Sequence, residues 1–300
     1  MTQTYFANFV EIPPALVFEI QQLKCYLNKN EAALLLFYAI FYSVLALLFT
    51  LCMKVLLSTL NDEYPKFQLG ESIIGASPGL GYRPMATDTE AGSIIWYNKT
   101  TKNQWITTMK EFVDKNYKSN SSYMKDCRYG DDLLKDEMCR VSMDSFGKCA
   151  PDYGYGFGLG QPCVFIKLNR IYGWVPEFYN NSKELPSEIP DNAKEAIKNK
   201  IENGEPNYVW VSCNGQSPHD RENQGPIEYI PAPGFPHYYY PYMNLKGYMS
   251  PLVAVRFLRP KPGIVINMEC RAWAKNILYK SNSQVREGSV HFEIQVDEFR

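Results

Sequence analysis

Eight cysteines and three histidines are the side chains here best able to ligate a metal, exchange protons or form covalent bonds. No Cys-x-x-Cys pair occurs, and His219, His237 and His291 are scattered, so a four-ligand zinc site is not encoded. Gly75-Ala76-Ser77-Pro78-Gly79 matches a nucleophile elbow, but that motif needs a strand before the serine and a helix after it. Pro78 follows the serine directly and no helical pattern opens, so a turn is expected. Asp131-Asp132 is an adjacent carboxylate pair with no histidine or further carboxylate cluster to support a metal site, and reads as a solvated turn. The glycines between Tyr153 and Gly160 do not fit Gly-x-Gly-x-x-Gly and lack a strand-to-helix setting. There is no His-Glu-x-x-His, no phosphate-cradling Gly-x-x-x-x-Gly-Lys-Ser/Thr and no Asp-x-Asp. The expectation is a chain with no catalytic residue, no metal and no cofactor.

The remaining chemistry is cross-linking. Cys127, Cys139, Cys149, Cys163, Cys213 and Cys270 form an even set, read as three disulfides in an oxidising compartment. Fifteen pairings are open. Alternation constrains one. Val209, Val211 and Cys213 share a strand face, as do Ile264, Ile266, Met268 and Cys270. A bond between two inward faces resembles the inter-sheet bridge of an immunoglobulin-like sandwich. Closing so long a loop is worth about 4 kcal/mol in the chain-entropy model. Proximity favours Cys127 with Cys139 and Cys149 with Cys163, without compelling either. Three sequons, at Asn98, Asn120 and Asn180, lie in the same part of the chain and are candidate N-glycosylation sites.

These residues need an element that exports them. From Ala32 to Met53 runs a charge-free stretch of 22 residues between Glu31 and Lys54. As a helix it measures roughly 33 Å, enough for a hydrocarbon core of about 30 Å. Nearby lysines are balanced, Lys24 and Lys29 before it against Lys54 and Lys66 after it, so charge does not orient the helix. The cysteines and sequons do, placing everything beyond about residue 57 outside. The organisation expected is a cytosolic tail at 1–31, a transmembrane helix at 32–57, a stalk at 58–92 and a disulfide-bonded, β-rich ectodomain at 93–300. Cys52 falls in the apolar run and is expected to be inert. Cys25, cytosolic and near the bilayer, is a candidate for acylation.

Within the ectodomain, helical spacing at 102–117 puts Trp105, Met109, Phe112 and Val113 on one face. A polar helix is expected at 191–203, with Asp191 as N-cap and Gly204 as its stop. Strands are expected at 162–168, 208–213, 251–258, 264–272 and 289–296. The fold class follows: one transmembrane helix plus an extracellular α+β domain, an immunoglobulin-like antiparallel β-sandwich with inserted helix. A net charge of −1 argues against a nucleic-acid partner. The 22 tyrosines suit strands, interfaces and membrane boundaries.

Several segments carry a resemblance. They are Leu36-Phe37-Tyr38-Ala39-Ile40-Phe41-Tyr42, Pro78-Gly79-Leu80, and Cys149 through Gln161-Pro162-Cys163-Val164-Phe165-Ile166-Lys167-Leu168-Asn169-Arg170. Two more are Pro233-Gly234-Phe235-Pro236 with Tyr239-Tyr240-Pro241-Tyr242, and Pro251-Leu252-Val253-Ala254-Val255. From about residue 29 onward the chain resembles the β subunits of the sodium/potassium-transporting P-type ATPase, an invertebrate member in particular. It departs from that pattern in lacking a basic, Trp-containing cytosolic segment, and in a first disulfide loop short beside the vertebrate one. The resemblance implies consecutive disulfides, Cys127–Cys139, Cys149–Cys163 and Cys213–Cys270. It implies a non-catalytic subunit of an ATP-driven pump that escorts the catalytic α subunit to the plasma membrane and tunes potassium affinity. Its partners would be that α subunit and the lipid bilayer, in a single-pass type II arrangement. Tyr38 and Tyr42, at i and i+4, are the expected transmembrane contacts, while Tyr239, Tyr240 and Tyr242 are ectodomain contacts or a packed aromatic core. The competing readings are a pump-independent adhesion or junction glycoprotein, and a type II lumenal enzyme, which the missing Asp-x-Asp disfavours.

Overall fold

In a computed structural model the described residues are 29–73, 75–86, 92–118, 123–131, 137–281 and 286–297. Cys25, Asn120, Asp132 and the tail before residue 29 lie outside them. The chain divides into two compact units, Met1–Asp62 and Glu63–Arg300.

In the first unit, helix α1 (Lys29–Ser58) has 30 residues, none of them buried. It is about 45 Å long and is the one helix among the described residues apolar enough to cross a membrane. The Ser43 and Thr50 hydroxyls are satisfied within the helix: Ser43 Oγ donates to Ala39 O at 2.6 Å and Thr50 Oγ1 to Leu47 O at 2.9 Å. Such back-bonding lets small polar residues sit in an apolar run at little cost.

The second unit is built on two sheets. Strands β1 (Leu80–Arg83), β2 (Ile94–Tyr97), β3 (Met124–Lys125), β4 (Met138–Cys139), β5 (Cys163–Leu168), β6 (Tyr208–Gly215), β7 (Ile227–Ile230), β8 (Gly234–Pro236), β9 (Leu252–Phe257) and β10 (Val265–Trp273) precede a short hairpin, β11 (Lys280–Ser281) with β12 (Arg286–Glu287), and the last strand β13 (Ser289–Val296). The four-stranded sheet has the order β1-β5-β9-β7, and the five-stranded sheet β2-β13-β10-β6-β8. Val164, Ile166, Val253, Val255 and Phe257 from the first share one core with Val211, Ile266, Met268, Phe292 and Ile294 from the second. The Tyr82 ring stacks on Phe292 at 5.1 Å, and Phe257 meets Phe292 edge-on at 6.4 Å.

Helices close the open faces. The helix expected at 102–117 forms as α2 (Lys102–Tyr117), burying Trp105, Met109, Val113 and Tyr117, while Phe112 is half-buried. Helix α3 (Asp191–Glu202) buries Ala193 and Ile197 in a second cluster with Tyr208 and Trp210, on the outer face of β6. Its N-cap is Pro190, not Asp191, which is the first helical residue. Proline fixes its own φ at about −65°, and the cap here has φ −59° with a non-helical ψ of 147°. Helix α4 (Pro218–Asn223) has a full capping box, with Ser217 accepting from Asp220 N and Asp220 accepting from Ser217 N.

Three further sequence expectations are corrected. Strand β1 lies inside the segment read as stalk and pairs with β5 from Leu80↔Leu168 to Arg83↔Phe165, so the folded domain starts before residue 93. The sheets are not wholly antiparallel, because β2 runs parallel to β13. The Cys213–Cys270 bond is not an inter-sheet bridge. Cys213 stands directly opposite Cys270 on neighbouring strands of one sheet, with Cα atoms 4.0 Å apart. Alternation reports which face a residue occupies, not which strand lies beside it.

Candidate interaction surfaces

The sites are cross-links, sequons and aromatic surfaces. In the first unit Tyr38 and Tyr42 stack at 6.0 Å with an interplanar angle of 21°, and Phe37 stacks on Phe41 at 6.2 Å. Both tyrosines are exposed. The i,i+4 spacing places each ring over the turn before it. The result is an apolar aromatic ridge edged by two phenol hydroxyls.

In the second unit the disulfides join Cys127 to Cys139, Cys149 to Cys163 and Cys213 to Cys270. The second holds the glycine-rich loop onto the outer face of the four-stranded sheet. Phe146 and Tyr155 pack against Phe165 at 5.1 and 6.2 Å. Gly156 has φ +76°, and a Cβ there would lie 2.1 Å from Gln161 O and 2.6 Å from Cys163 Sγ. A glycine is required because the chain passes directly over the disulfide.

Of the sequons, Asn98 is half-buried and Asn180 exposed. Asn98 Oδ1 accepts from Thr100 N at 2.9 Å and Thr101 N at 2.8 Å, a turn that starts α2.

The tyrosine loop resolves into distinct roles. Tyr239 Oη donates to Arg140 O at 3.2 Å. Tyr240 packs edge-on against Trp174 at 5.6 Å with its hydroxyl buried. Burial pushes both phenols well above their usual range. Tyr242 is half-buried, donates to Asn244 Oδ1 at 2.8 Å and is followed by exposed Met243. Arg170 organises this loop. Its guanidinium sits 5.4 Å from the Tyr242 ring centre and 5.2 Å from that of Tyr248. Its Nε donates to Ser250 Oγ at 2.8 Å and its Nη2 to Tyr248 O at 3.2 Å. The two most distinctive segments of the sequence, the one ending in Leu168-Asn169-Arg170 and the one containing Tyr239-Tyr240-Pro241-Tyr242, therefore meet in space.

The family model described as Sodium / potassium ATPase beta chain matches residues 27–292. The chain belongs to that family. Among its relatives are two Drosophila melanogaster proteins. It is 45% identical over 273 residues to "Sodium/potassium-transporting ATPase subunit beta-1", covering 90% of this chain and 87% of the relative. To "Sodium/potassium-transporting ATPase subunit beta-2" it is 41% identical over 275 residues, covering 87% and 84%. The human "Sodium/potassium-transporting ATPase subunit beta-2" is 30% identical over 288 residues, covering 90% and 88%. The match to the β-chain family includes α1, the four-stranded sheet, the five-stranded sheet up to the first half of β13, and all three disulfides.

Motifs considered for catalysis have structural roles in this β chain. Ser77 Oγ accepts from Leu278 N at 3.0 Å and fastens two distant segments. Asp131 accepts from Arg128 N at 2.9 Å in a turn. Among the described residues no group of three or more His, Cys, Asp and Glu is placed to hold a metal. Sequence reasoning passed over three polar residues. Arg170 stands in the sequence only as the end of a motif. Arg256, buried on β9, pairs with Glu228 at 2.8 Å and bonds Gln161. Asp220 accepts from Ser217 Oγ at 2.5 Å and Asn267 N at 2.9 Å, tying α4 to β10. Burial by itself raises the Asp220 carboxyl's pKa. Hydrogen bonds from Ser217 and Asn267 outweigh it and hold the pKa at about 2. The Ser217-Pro218-His219-Asp220 spacing is a legible helix-start signal that could have found it.

Proposed function

We propose that this chain is the non-catalytic β subunit of a sodium/potassium pump, which escorts the catalytic α subunit through folding and plasma-membrane delivery and tunes potassium affinity. The carrying observation is the family match over residues 27–292, with 45% identity to a fly relative named as such a subunit. In this reading α1 spans the bilayer with the N-terminus cytosolic and the second unit outside. Asn98, Asn120 and Asn180 carry N-glycans. Two sheets sharing one core support the immunoglobulin-like reading of the domain. Tyr38 and Tyr42 offer their hydroxyls to an α-subunit helix, since phenols in hydrocarbon gain from a partner, by about 1 kcal/mol each. In the ectodomain Tyr242 is the tyrosine of the loop that faces the partner, whereas Tyr239 and Tyr240 pack beneath it.

Co-expression with a pump α subunit tests the reading. Ouabain-sensitive potassium uptake should appear only when both chains are present. Uptake no greater than with α alone, together with recovery of this chain free of any ATPase in mild detergent, would refute it. Replacing Tyr38 and Tyr42 together with Leu is expected to reduce co-purification several-fold, about thirtyfold if both bonds are lost in full.

A further inference from the structure

Three cations, one of them seated in the tyrosine loop, form no ion pair among the described residues. Arg83 on β1 and Lys167 on β5 point to the outer face of the four-stranded sheet. The register Gly81↔Lys167 and Arg83↔Phe165 makes them diagonal neighbours. Gly81 leaves the space between them open to the lysine: a Cβ there would lie 3.2 Å from Lys167 Cε. Arg170 follows three residues after Lys167 and is exposed, although fixed by Ser250, Tyr242 and Tyr248. Arg83 is fixed too, over the Phe112 ring at 5.4 Å and by Nη1 donation to Tyr82 O at 2.7 Å. Among the described residues none of the three forms an ion pair, whereas seven other pairs do form.

Preorganised, uncompensated cations of this kind are a recognition feature. Two guanidinium groups held by aromatic rings lose little freedom when they bind a carboxylate. We propose that Arg83, Lys167 and Arg170 form an anion site that takes an acidic side chain from the extracellular surface of the catalytic subunit. The proposal rests on the pump-subunit reading above and adds the chemistry of the contact. An acidic protein group is favoured because the site continues into the loop bearing Tyr242 and Met243, which offers apolar contact beside the charge. The chain's overall charge of −1 gives no general attraction for polyanions. The site's electrostatics agree. Lys167 has its pKa lowered by burial and then by Arg83 and Arg170, a penalty that a bound carboxylate would relieve.

The test uses the full-length chain co-expressed with a pump catalytic subunit and recovered in mild detergent. Wild-type recovery should fall as salt rises. Lys167→Glu should lower it about tenfold and Lys167→Arg should restore it. Should Lys167→Glu fail to fold, as judged by disulfide content and thermal melting, Lys167→Gln is expected to lose about threefold. Equal recovery by wild type and a folded charge-reversal variant would overturn the proposal alone. So would unchanged recovery with lost retention of the complex on phosphatidylserine bilayers, which would assign the site to lipid. Failure of the wild-type chain to recover any catalytic subunit would overturn the underlying reading, and this proposal with it.

Discussion

Strands β6 and β10 lie side by side, pair from Met268↔Gly215 to Trp273↔Trp210 and share a disulfide, yet their environments differ. In β6 both faces are buried through the first six residues, whereas β10 alternates between buried and half-exposed positions. Their inner faces meet the same core. The difference lies outside. Helix α3 covers Tyr208 and Trp210, while Val265 is exposed. Burial on a strand is thus set by what each face meets, and the hydrophobic pattern follows it.

Four changes test that contrast. The strongest attack is on what the two strands share. Cys213→Ser with Cys270→Ser should cost about 4 kcal/mol, from the loop-closure entropy of the 57-residue separation. Urea unfolding of the glycan-bearing ectodomain would measure it, and a loss below about 1 kcal/mol would mean that the ladder alone holds the strands. Next is the cover over β6. Ile197, on the buried face of α3, is fully buried, so Ile197→Ala should cost about 3 kcal/mol through the cavity it leaves. A cost near that of a surface change would show that α3 is only loosely seated.

A third test concerns the tie from α4 to β10. The Asp220 pKa is depressed from about 3.8 to about 2. Its contribution is therefore full above about pH 4 and lost as pH falls through about 2. At neutral pH it amounts to about 2 kcal/mol. Asp220→Asn should lower the urea midpoint at pH 7 and flatten its slope between about pH 4 and 2, and an unchanged slope would remove Asp220 from the account. The smallest effect is expected at the exposed start of β10, where Val265→Thr should stay within about 0.5 kcal/mol. A larger cost would reveal a covering surface at that position.

How far the sequence could be read follows the same lines. Strand β13 was legible because Phe292, Ile294 and Val296 alternate with polar residues on a face that stays partly exposed. Helix α2 was legible from its apolar spacing, and α1 from an unbroken uncharged run. Short edge strands were not. β2 has four residues, and its Trp96 is exposed. The inward-facing cysteines were placed on the correct faces, but their relation within one sheet escaped the pattern, because strand order is a long-range property. Arg170 escaped for a similar reason. Its partners Tyr242, Tyr248 and Ser250 are about 70 to 80 residues away, and no local period connects them.

By itself the sequence determined the apolar helix, the even set of cysteines, the faces of the long strands and the family. Each of these depends on composition, on motif spacing or on a period of two to four residues, which a chain carries locally. Only the tertiary structure decided that Cys213 faces Cys270 across one sheet, that α3 lies over Trp210, and that Arg170 joins the tyrosine loop. Those outcomes depend on which distant surfaces bury one another, a choice set by the whole core and not by any one segment of it.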